Sequence, residues 1–111
     1  MKKTNVKKIG ELIEMCFNYD DDKSVSILLN KPNWDITVES FKYLYDSESN
    51  LDLIKPGKLI FDYCTIEYSP ELDDNIQLLM SVCSHLTSKF VLPVNVNIED
   101  EKKNTGLTEK V

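Results

Sequence analysis

The 111-residue chain contains no arginine and no alanine, and only three glycines and four prolines. The missing arginine has a chemical consequence. Bidentate recognition of phosphate and guanine uses the guanidinium fork, whereas the 13 lysines offer only point charges. With a net charge of −6, the composition argues against nucleic acid as a partner and suits a basic protein partner or simply solubility. Gly10, Gly57 and Gly106 stand alone, so no glycine-rich phosphate loop is present, and "KPGK" at 55–58 lacks the second glycine and the hydroxyl residue of a P-loop. No apolar run approaches the ~20 residues that span a bilayer. Glu11 and Glu14 interrupt any signal-peptide core after the basic start, so an intracellular location is expected.

The three cysteines, Cys16, Cys64 and Cys83, are odd in number and lie outside metal-ligand spacing. Each has apolar neighbours, and all three are expected in the core as free thiols. The single histidine, His85, follows Cys83 by two positions with Ser84 between them, off the apolar seam of its segment, where solvent exposure is expected. The triplet Asp20, Asp21, Asp22 lacks the alternating ligands and central glycine of a calcium loop and reads as a solvated turn. These features give no catalytic, cofactor-binding or metal-binding residues. Binding or assembly without catalysis is the resulting expectation.

What is present is periodic. Val6, Ile9, Ile13, Cys16 and Phe17 recur at helical spacing and predict an amphipathic helix over 4–19. Val25, Ile27 and Leu29 alternate and predict a strand over about 24–30. After a Lys-Pro turn, Asp35 or Thr37 is the expected cap of a second helix reaching about Asp46. Its expected inward residues are Val38, Phe41, Leu44 and Tyr45, with Trp34 stapling its start to the core. The stretch "LIKPGKLIFDYCTIEY" at 53–68 has strand propensity after a Pro-Gly break, but Pro56 suits a first helical turn. A helix over about 56–64 followed by extended "TIEYS" is predicted.

Ser69 as cap and Pro70 as first helical residue open a predicted helix over 70–90, with Leu72, Ile76, Leu79, Cys83, Leu86 and Phe90 as its seam. Over 91–98, Leu92, Val94, Val96 and Ile98 alternate with Val91, Pro93, Asn95 and Asn97. This predicts a second strand, paired with 24–30 and placed at an edge because Pro93 cannot donate to a ladder. The expected fold is therefore α+β: a mostly helical single domain over 1–99, about four helices, with a small antiparallel two-stranded sheet from about 24–30 and 91–98. Residues 100–111 form a charged C-terminal tail.

Three phrases, "ILLNKPNWDITVESF", "NLDLIKPGKLIFDYC" and "SPELDDNIQLLMSVCSHLTSKF", followed by "VLPVNVNIEDEKKN", together resemble the small phage tail-assembly-chaperone-like proteins over about residues 25–103. A Gly-Asp turn of that group is replaced here by "IEYSPE". The resemblance implies a non-enzymatic phage assembly or virion-associated protein that binds other phage structural proteins, in the host cytoplasm or the virion, without nucleic acid, membrane or cofactor. The residues expected to bind a partner are Leu92, Val94, Val96 and Ile98 on the edge strand, and Asp73 and Asp74. The acidic charge supports an alternative, a small inhibitor of the toxin-immunity or anti-defence type that blocks a basic nuclease or effector. An inhibitor should gather Asp20, Asp21, Asp22, Asp73 and Asp74 on one face, whereas an assembly protein should expose an apolar patch or an open sheet edge.

Overall fold

A computed structural model of the chain describes residues 1–97. It is α+β, but its sheet has four antiparallel strands in the order β1-β4-β3-β2, with one face covered by helices. The strands are β1 (Lys2–Lys3), β2 (Leu12–Asp20), β3 (Lys23–Asn30) and β4 (Thr65–Tyr68). The helices are α1 (Trp34–Phe41), α2 (Lys55–Cys64), α3 (Glu71–Asp74) and α4 (Ile76–Leu86), and a π-helical turn, Thr87–Val91, continues α4.

The predicted strand at 24–30 lies within β3, and its Val25, Ile27 and Leu29 form the centre of the core. Its partners differ from the expectation. β2 pairs with one side of β3 in the register Ile13↔Leu29, Met15↔Ile27, Phe17↔Val25, and β4 pairs with the other side. Both sides of β3 are thereby occupied, so the two-stranded pairing with 91–98 does not form. Residues 93–97 carry no regular secondary structure.

The predicted helix over 4–19 is also corrected. Ile13, Met15, Phe17 and Tyr19 are half-buried and pack on the core, while Glu14, Cys16, Asn18 and Asp20 are exposed. That is a period of two, and it coincides with helical spacing only at Ile13 and Phe17. Asp21 and Asp22 form the turn into β3, as expected. Cys16 points to the open face of the sheet and is exposed, contrary to the core expectation, whereas Cys64 and Cys83 are buried.

The segment linking β1 to β2 crosses the end of the sheet. Asn30, buried at the end of β3, clamps it: its Oδ1 accepts from the Ile9 N–H (2.8 Å) and its Nδ2 donates to the Lys7 carbonyl (2.7 Å). Gly10, at φ +73°, turns the chain into β2.

The helix expected at 56–64 is α2, Lys55–Cys64, with Pro56 in its first turn and β4 directly after it. The helix expected over 70–90 is broken. Ser69 does not cap it; the Ser69 hydroxyl accepts from the Ser26 N–H and the Ser69 N–H donates to the Ser26 carbonyl, which extends the sheet. Asn75 is extended (φ −132°, ψ 95°) and caps α4, its Oδ1 accepting from the Leu78 N–H at 3.1 Å. The break rotates the seam, so Leu78, Val82, Cys83 and Leu86 face the core while Ile76 lies in solvent.

Candidate functional site

α1 is shorter than expected and turned the other way. Asn33, not Asp35 or Thr37, caps it, with its Oδ1 accepting from the Ile36 N–H at 2.9 Å. The positions directed inward are Ile36, Ser40 and Leu44, spaced four apart. Ser40 is fully buried and its hydroxyl has no hydrogen-bond partner among the described residues. Trp34, Val38 and Phe41, at i, i+4 and i+7, share the outer face of the helix. All three are exposed, Trp34 at 79%. The staple expected of Trp34 is absent, and of the four residues expected inward only Leu44 is buried.

Exposed apolar and aromatic residues also lie on neighbouring elements. Past α1, Tyr45 and Leu51 form an isolated bridge across a turn and are both exposed. The Asp46 carboxylate holds that turn by accepting from the Glu48 and Asn50 N–H groups (2.8 Å each). These bonds keep its pKa below the ordinary carboxylate value. On α2, exposed Tyr63 forms one wall of a hollow of about 160 Å³ bounded by Asp35, Ile36, Glu39 and Ser40 of α1. Tyr63 and Ile36 also border a larger cavity of about 420 Å³, which reaches Val6, Ile9 and Pro32 and has Lys7, Glu11 and Lys31 at its rim. Ile36 and Tyr63 line both spaces, and neither space is lined by Trp34, Val38 or Phe41.

A second feature lies at the β2–β3 turn. Asp20, Glu71 and Asp74 border a hollow of about 500 Å³, and Asp22 and Glu71 border another of about 450 Å³, with Lys23 lining both. Part of the expected acidic face is thus gathered. Asp73 is engaged within the fold: it forms an ion pair with Lys2 and accepts from the Tyr68 hydroxyl at 2.9 Å. Lys2 and then Tyr68 lower the Asp73 pKa, while Asp73 raises that of Lys2.

The other residues expected to bind a partner are dispersed. Leu92 is half-buried and its N–H closes the π-helical turn onto the Thr87 carbonyl. Val94 and Val96 are exposed outside any strand, and Ile98 lies outside the described residues. His85 is exposed, as expected, with its ring 5.5 Å from that of Phe17. Among the described residues, no group of His, Cys, Asp and Glu could hold a metal ion, and no helix is long and apolar enough to cross a membrane.

Val38, Phe41 and Tyr45 were expected to face inward together with Leu44, and of these only Leu44 does. The row that is directed inward, 36/40/44, includes Ser40, and the serine interrupts its apolar pattern. No protein-family model, curated protein or solved structure matches the chain.

Proposed function

We propose that the chain is a non-enzymatic binding protein that holds apolar segments of other proteins on the outer face of α1. In the setting its phage resemblance implies, those partners are structural proteins met during assembly or within the particle. The observation that carries this reading is the orientation of α1. A helix that buries Ser40 with an unpartnered hydroxyl and leaves Trp34, Val38 and Phe41 in water is arranged against its own hydrophobicity. A partner that covers the outer face removes this conflict. An amphipathic helix fits such a surface, its anchors meeting aromatic side chains at helical spacing.

Titration calorimetry against purified phage structural proteins tests the proposal. The double substitution Trp34→Ser and Phe41→Ser should weaken binding by roughly 30-fold or more, in the range of interface hot spots. Unchanged affinity in the double variant would move the site elsewhere.

The grouping of Asp20, Asp22, Glu71 and Asp74 around the β2–β3 turn favours a second reading, the acidic inhibitor of a basic protein. Salt separates the two. An apolar contact on α1 changes little between low and high ionic strength, whereas binding through the acidic end weakens steeply.

A further inference from the structure

The two edges of the sheet are built differently. β1, at one edge, is two residues long and both are lysine, a form that discourages further pairing. β2, at the other edge, is nine residues long, carries no lysine or proline, is regular up to a β-bulge between Asn18 and Asp20, and among the described residues nothing pairs with its outer side. Its main-chain directions follow from the ladder. The Lys31 N–H donates to the Glu11 carbonyl (2.8 Å), so up to the bulge the odd-numbered residues of β2 bond to β3. The N–H and C=O groups of Leu12, Glu14, Cys16 and Asn18 therefore point outward. On the helix-covered face, Ile13, Met15, Phe17 and Tyr19 are only half-buried, because the sheet stops beside them.

We propose that this edge pairs with a second copy of the same chain, β2 against β2 in antiparallel register about Cys16, giving one continuous eight-stranded sheet. Antiparallel self-pairing must set outward-pointing residues opposite each other, which leaves few registers. Centring on Glu14 opposes two like charges, and centring on Phe17 overlaps only Cys16, Phe17 and Asn18 of the regular ladder. Centring on Met15 avoids both but sets each Glu14 opposite a Cys16 thiol, a weak donor. Centring on Cys16 instead gives each Glu14 the side-chain amide of Asn18. It also sets Met15 opposite Phe17, once from each copy. The apolar pairs fall on the helix-covered face, where each strand covers what the other leaves exposed. The outer face of α1 takes no part in this contact, so the dimer would present two copies of it.

The register makes a covalent test available. Residues opposite each other in a hydrogen-bonded pair have Cα atoms about 5.5 Å apart, within the span a disulfide or short bismaleimide bridges. Cys16 is the exposed thiol, whereas Cys64 and Cys83 are buried. The purified full-length chain should run as a dimer in light scattering, and mild oxidation or a short bismaleimide should link it through Cys16, with Cys16→Ser abolishing the link. Exposed Asn18 then reads the register. Asn18→Lys meets Glu14 of the other copy twice per dimer and should tighten association roughly tenfold, and Asn18→Glu should loosen it by a similar factor. A chain monomeric at every concentration overturns the proposal, as does a dimer that does not link through Cys16. Two Asn18 variants with the same effect overturn the register.

Discussion

A Cβ placed on Gly57 would sit 1.7 Å from the carbonyl oxygen of Cys83. The first turn of α2 thus lies directly against the backbone of α4, and only glycine permits that approach. Thr87 fixes the same junction: its hydroxyl donates to the Leu53 carbonyl and lies 3.2 Å from the Cys83 carbonyl. Read from sequence, Gly57 inside a helix is a local penalty of about 1 kcal/mol; in the fold it is what lets the two main helices touch. Gly57→Ala should therefore destabilise the protein by about 3 kcal/mol, at the upper end for overpacking, measured by urea denaturation. A loss below that of an ordinary surface substitution would mean that the helices separate freely.

Asn75 starts α4 where the sequence pattern runs on without a break. Removing its side chain leaves the Leu78 N–H without its cap, and Asn75→Ala should cost about 1 kcal/mol. Asn75→Asp keeps the acceptor oxygen and should retain most of that stability. Thermal melts of the two variants compare directly, and equal losses would show that the cap is not the cause.

Thr65 is fully buried at the start of β4, and its hydroxyl has no hydrogen-bond partner among the described residues. Thr65→Val keeps the shape and removes the unsatisfied oxygen, so stability should rise by about 1 kcal/mol. A loss of similar size would indicate that the hydroxyl has a partner in solution.

Burial pushes the thiols of Cys64 and Cys83 up to about 11 each. Their folded-state values lie above the ordinary thiol value, so burial of the neutral forms contributes stability below that value. This contribution is lost as pH rises toward about 11. Iodoacetamide at pH 8 should add a single label, on Cys16, with Cys64 and Cys83 reacting only as the protein unfolds. Prompt labelling of all three by intact mass would contradict the packing of α2 on α4.

The sequence made some elements legible and concealed others for identifiable reasons. Val25, Ile27 and Leu29 alternate without competition, and β3 follows directly. Pro56 outweighed the β-propensity of Ile60, Phe61 and Tyr63, and α2 forms where expected. Over 12–20, however, helical and strand periods overlap at Ile13 and Phe17, and the helix reading failed to weigh Met15 and Tyr19. The neat alternation at 91–97 did not pair with β3 as expected, because β2 and β4 occupy both sides of that strand. Strand pairing depends on which partners remain available, which local pattern does not encode. The candidate site was concealed by the rule that apolar faces point inward, the rule α1 breaks. The aromatic residues were identified correctly and placed on the wrong side.

Trp34 is the sole tryptophan, so its fluorescence reports directly on the face proposed for binding. Acrylamide quenching of its fluorescence, free and in complex with a purified phage structural protein, is the most direct test. The free chain should quench as an exposed indole does. The complex should show blue-shifted emission and a quenching constant several-fold lower, as expected of a buried anchor. A stable complex in which Trp34 stays as accessible as in the free chain would contradict the assignment of α1 as the binding face.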